Sequence, residues 1–103
     1  MANRQLVILS TDPPPAGGGM APLGTRREII ERLAPLNVSP DQEGSAFLYG
    51  PGFVIQLPPD GAPITQMLLG INEDEIAWHV IMRIVREIGW KMLDPSTGQE
   101  LGA

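Results

Sequence analysis

Few residues of this chain have the types and spacing that chemistry needs. The single histidine, His79, follows Glu75 by four positions, which on a helix puts imidazole and carboxylate on one face. Such a pair could form one edge of a metal site. There is no second histidine, no cysteine and no H-E-x-x-H pattern to complete it. The segment Gly17-Gly18-Gly19-Met20-Ala21-Pro22-Leu23-Gly24-Thr25 stands between an apolar run and an amphipathic stretch, where phosphate loops sit. Gly19, Gly24 and Thr25 match part of the spacing G-x-x-x-x-G-K-[ST]. The lysine that would meet the phosphates is missing, and Pro22 removes one backbone N–H from any cradle. Glu73, Asp74 and Glu75 cluster at the start of a helical stretch, where the helix dipole explains them without catalysis. Asp60 and Asp94 fall in turn sequences that favour Asp for local hydrogen bonding. No catalytic, cofactor-binding or metal-ligating set is therefore assigned, and no cofactor is expected. A small hydrolase or transferase that gathers residues 17–25, Asp12 and His79 is the alternative reading, resting on the length of the loop.

Apolar residues carry more information. Around Ile76 to Ile88, Ala77, Val80, Ile81, Ile84, Val85 and Ile88 form one helical stripe, and Trp78 and Met82 widen it. The arc spans about 200°, whereas covering one sheet needs little more than ~100°. Either the rest of the chain covers the Trp78/Met82 flank, or a partner does, since aromatics and Met are enriched at interface cores. Tyr49-Gly50-Pro51-Gly52-Phe53 sets two aromatics around a rigid kink and offers a second contact surface. Trp78, Met82, Tyr49 and Phe53 are accordingly the candidate interaction surface. Its expected occupant is another protein or a second copy of the chain.

Bulk properties narrow the classes further. The chain has 103 residues, 43% hydrophobic and 18% charged, with 12 acidic against 7 basic side chains and a net charge of −5. A nucleic-acid binder is not expected, because Lys and Arg supply that affinity. An acidic partner of a basic protein is compatible with the charge. Without cysteine, disulfides and thiolate chemistry are excluded. The apolar run Leu6–Leu9 is too short for a signal-peptide core or a membrane span, so a cytoplasmic location is the expectation.

The elements that must position these residues follow from periodicity and punctuation. Gln5 to Ser10 reads as a strand apolar on both faces. Residues 11–24, rich in Pro and Gly, form a flexible loop. Thr25 to Ala34 reads as a helix, with Thr25 and Glu28 as a capping box and Pro35 as the stop. Residues 37–45 form a polar connector. Ala46 to Leu57 holds two apolar pieces split by Gly50-Pro51-Gly52, either two strands or one strand with a bulge. Residues 53–71 read as a hairpin with a wide turn at Asp60-Gly61. Asn72 is the expected cap of the main helix, with Glu75 at the box position and Gly89 as its left-handed stop. Trp90 to Leu93 reads as a short strand, and Asp94 to Gly98 as a turn. The order β-α-β-β-α-β is the split βαβ, ferredoxin-like arrangement. The expectation is a single α+β domain over residues 1–103, a two-layer sandwich with two helices on one face of an antiparallel sheet.

Overall fold

The computed structural model describes residues 4–58 and 63–102. It is a small α+β structure with one antiparallel sheet and two helices. Strand β1 spans Arg4–Leu9, and after the Pro/Gly-rich loop helix α1 spans Arg26–Leu33, prolonged by a 3-10 turn over Ala34–Leu36. Three strands follow: β2 at Ser39–Pro40, β3 at Phe47–Gly50 and β4 at Phe53–Gln56. Then come β5 at Gln66–Ile71, helix α2 at Asp74–Arg83 and a π-helical turn at Ile84–Ile88. Strands β6 at Lys91–Leu93 and β7 at Glu100–Leu101 close the chain.

The sheet order is β2-β3-β4-β5-β1-β6-β7, with every neighbouring pair antiparallel. This corrects the ferredoxin-like, six-element expectation. The polar connector after α1 contributes β2, the 46–57 stretch divides into two strands, and Glu100–Leu101 pairs with β6 as β7. Gly50 pairs with Phe53, so Pro51-Gly52 is a two-residue turn and no bulge is needed. Pro at its first central position and Gly52, at φ 80°, at its second is the residue choice of a type II turn. The Asp60-Gly61 turn lies outside the described residues.

Both helices pack on one side of the sheet. Leu6 and Ile8 of β1, Leu48, Phe53 and Ile55, and Met67, Leu69 and Ile71 of β5 are buried together with Ile29 and Leu33 of α1, Ala77 and Ile81 of α2 and Ile84 of the π-helical turn. The period of two along each strand and of 3.6 along each helix brings these positions to one layer. Helix α1 starts as its sequence requires: the Thr25 hydroxyl accepts from Glu28 N–H at 3.2 Å, and the Glu28 carboxylate accepts from Thr25 N–H at 2.8 Å. The main helix starts differently. Its N-cap is Glu73, with no side-chain cap bond, so Asn72 and Glu75 do not form the expected box. Instead the Gly52 carbonyl accepts from Asn72 N–H at 2.7 Å and from Glu73 N–H at 3.0 Å, and the β3–β4 turn holds the helix entry. Gly89, at φ 87°, ends the helix in the left-handed conformation, as its position implies.

Candidate interaction surface

Because both helices lie on one side, the opposite face of the sheet has no covering layer among the described residues. Its composition follows from the strand registers. One row crosses six strands: Phe47 opposite Gln56, Gln56 opposite Leu68, Leu68 opposite Val7, Val7 opposite Leu93, Leu93 opposite Glu100. A second row runs Tyr49, Val54, Gly70, Gln5, and a third Gln66, Leu9, Lys91. Sheets with one face in water normally alternate apolar-in with polar-out. Here the outward positions are mainly aliphatic and aromatic, interrupted by glutamines. Phe47, Tyr49 and Leu68 remain 40%, 48% and 43% exposed. Val7, Leu9, Val54 and Leu93 are half-buried against their neighbours. The charges among the described positions of this face are Lys91 and Glu100, which pair with each other at 3.5 Å. A hollow of about 130 Å³ lined by Gln56, Leu57, Pro58, Gln66, Met67 and Leu68 extends the surface at the end of the β4–β5 hairpin.

The four residues expected to form an interaction surface do not come together as one. Tyr49 stands on the uncovered face. Phe53 points the other way and is 2% exposed. Its ring lies across Gly50, where an added Cβ would come within 2.6 Å of it. Phe53 therefore belongs to the core, and Phe47 and Leu68 take its place beside Tyr49. Trp78 is half-buried, and the group over its indole is Arg4, whose guanidinium carbon sits 5.2 Å from the ring centroid. That is cation–π distance. The same guanidinium donates to Asp94 Oδ2 through Nε at 3.1 Å and Nη2 at 2.9 Å. Asp94, 4% exposed, also accepts at Oδ1 from Ser96 N–H at 2.9 Å and from the Ser96 hydroxyl at 2.6 Å. The Ser96 donors first, and then Arg4, hold its carboxyl below the ordinary aspartate range. Arg4 thus ties the start of β1 to the flank of α2 and to the β6–β7 turn. Met82 is half-buried on that helix.

His79 is exposed on α2, and among the described residues no group of three or more His, Asp or Glu side chains gathers to hold a metal. At the start of α1 the capping box fills the position an anion would take: the Glu28 carboxylate already occupies Thr25 N–H, and this bond holds Glu28 below the ordinary glutamate range. Residues 11–20 are exposed, with nothing within 4 Å of where side chains would stand at Gly17, Gly18 and Gly19. The loop is pinned at its exit, where Leu23 N–H donates to Ile64 O at 2.7 Å and Ile64 N–H to Gly24 O at 2.9 Å. Among the described residues no helix is long and apolar enough to cross a membrane. The chain matches no family model, no curated protein and no solved structure with which it was compared.

The residues missed in the sequence were Phe47, Val54, Leu68 and Gly70. Their signal was present: Phe47-Leu48-Tyr49 and Met67-Leu68-Leu69 are consecutive apolar residues in antiparallel strands. In such strands one uninterrupted run means two apolar faces.

Proposed function

We propose that the chain is a non-catalytic protein-binding module that docks through its uncovered sheet face. The observation that carries this reading is the row Phe47, Gln56, Leu68, Val7, Leu93, a stripe across five strands that is apolar except at Gln56 and has no helix over it among the described residues. A surface of this kind gains free energy when covered, and contiguous apolar patches commonly mark protein contact sites. Aromatic residues at one end of the patch and the lack of unpaired charge at its centre suit an interface core. The helix side offers a weaker case. Trp78 already has Arg4 over it, and the exposed Ile76 follows Glu73, Asp74 and Glu75 in the chain.

Comparison of two immobilised baits tests the reading. Leu68→Lys places an ammonium at the middle of the patch, at a position exposed enough for the isolated fold to tolerate it. Wild-type chain challenged with lysate from cells that make it should retain bound protein, further copies of the chain included. The L68K bait, with unchanged far-UV circular dichroism, should lose it. Equal retention by the two baits overturns the reading.

A further inference from the structure

We infer that the occupant of the uncovered sheet face is a second copy of this chain, packed sheet against sheet around a two-fold axis, with its closest approach over Gly70. This rests on the reading of that face as a docking surface and names its partner.

Gly70 is the first ground. It sits inside β5, paired with Gln5 on one side and Val54 on the other, and both registers run through it without a bulge. Its φ is not positive, in contrast to the turn glycines. An added Cβ would meet nothing closer than Val54 Cγ1, at 3.8 Å, an ordinary contact. Nothing within the described chain therefore calls for glycine there. A glycine inside a strand weakens it, and besides bulges and bends it marks places where another backbone or ligand comes close. The missing side chain leaves a shallow gap in an outer row of the face, between Val54 and Gln5 and next to Leu68. Knobs and gap lie on one surface, which is what an isologous contact requires.

Charge is the second ground. The chain carries −5 overall, so two copies repel unless they meet where carboxylates are absent. Glu73, Asp74 and Glu75 stand at the start of α2, Glu28 and Glu31 on α1, and Asp41 and Glu43 on the loop after it. Among the described residues the sheet face holds only the mutually neutralised Lys91–Glu100 pair. A basic partner would be drawn to the helix and loop side; a copy of the chain is admitted by the sheet side.

Area is the third. Five strands at ~4.8 Å spacing and ~3.3 Å per residue give the face roughly 350–400 Å² in projection, and protruding side chains add to it. A standard interface takes ~800 Å² of accessible surface from each partner, and weak complexes take less. The face suits a reversible dimer rather than an obligate one. Packed sheets lie ~10 Å apart with strands crossing at ~30° and the side chains of the two faces interdigitating, so a side chain at position 70 would displace the partner knob seated in that gap.

Sedimentation equilibrium from 5 to 500 μM on wild type, Leu68→Lys and Gly70→Thr tests this, with the two-bait capture run alongside. The wild type should move from 11.1 kDa toward twice that mass. L68K should stay monomeric throughout. G70T should dimerise at least tenfold more weakly, yet melt at a higher temperature than wild type when both are dilute, because a β-branched residue suits the strand. A dimer that L68K leaves intact overturns the assignment of the face. A dimer that G70T leaves intact overturns the close approach over Gly70. A wild type monomeric at every concentration overturns the second copy. In that last case the two baits separate the readings: differential capture keeps the docking surface, and equal capture removes both.

Discussion

Gly52→Ala is the most informative single change in the fold. Gly52 has φ 80°, a conformation that costs a residue with a Cβ about 1–2 kcal/mol. The new methyl would also stand 2.7 Å from the Glu73 carbonyl oxygen and 3.0 Å from the Ala77 amide nitrogen. Both are backbone atoms of the α2 entry, so neither can rotate away. Overpacking of this kind costs about 1–3 kcal/mol. Relief by moving the turn would lengthen the two hydrogen bonds that the Gly52 carbonyl accepts from Asn72 and Glu73, each worth about 1 kcal/mol net. Strain and displacement are alternatives for part of this sum, so the expected loss is about 2–5 kcal/mol. For a domain near this size each kcal/mol moves Tm by roughly 4–8 °C. Urea unfolding followed by far-UV circular dichroism would measure it, with an unchanged m-value showing that native stability is what changed. Gly70→Ala is the control: its methyl meets only ordinary contact, so it should be neutral or stabilising by up to about 1 kcal/mol. If Gly52→Ala falls within ~0.5 kcal/mol of wild type, the range of an ordinary surface change, the turn does not hold the helix entry as described.

Further expectations follow from the same geometry. Leu69→Ala, at a position 0% exposed, should cost about 2–5 kcal/mol, while Leu68→Ala next to it should stay within ~0.5 kcal/mol for the dilute chain; denaturant midpoints of both variants check the assignment of the two sheet faces. Thr25→Ala removes the α1 cap and should cost about 1 kcal/mol, read as a lower Tm without loss of cooperativity. Asp94 binds a proton less readily folded than unfolded, so the stability it contributes is complete above the ordinary aspartate range and is lost as pH falls through its depressed folded value. Glu28 and Glu87 act in the same direction. Asp94→Asn should therefore flatten the Tm profile between about pH 5 and pH 2, and a profile identical to wild type would exclude Asp94 as a contributor.

What could be read from the sequence was what is local. Thr25 and Glu28 are three residues apart and form their capping box within one turn. Gly89 ends its helix because the conformation there is one residue's own preference. The alternation Phe53, Ile55, Leu57 gives a strand face directly. What could not be read depends on distant partners. Asn72 looks like a cap, yet a carbonyl twenty residues earlier supplies the acceptor that sets the helix entry. Phe53 looks like a surface aromatic beside a kink, yet the bare Gly50 opposite it lets the ring lie in the core. Arg4 and Asp94 are ninety positions apart, and no periodicity links them to each other or to Trp78. The uncovered face was partly legible. The widened arc of α2 pointed to surplus apolar surface, but Arg4 lies over that flank, and the surplus stands on the sheet.

The size of that surplus constrains how tightly the face can bind. Phe47, Tyr49 and Leu68 are each nearly half exposed, which for side chains of this size leaves roughly 80–100 Å² apiece open to water. Covering all three at about 25 cal/mol per Å² gains about 6–7 kcal/mol per copy as an upper bound, and twice that in a symmetric pair. Immobilising two bodies against each other costs about 4–15 kcal/mol. Where that cost lies in the upper part of its range, the exposed residues alone bring association only near balance. The net affinity then comes from the half-buried Val7, Leu9, Val54 and Leu93 and from the fit over Gly70. A Kd of 1 μM corresponds to −8.2 kcal/mol, so a micromolar dimer needs most of the face to be covered. Partial covering, by a short peptide for example, would fall well short of it. An affinity in the nanomolar range would require contacts beyond this face, and would point to the helix side or the 11–22 loop as a second contributor.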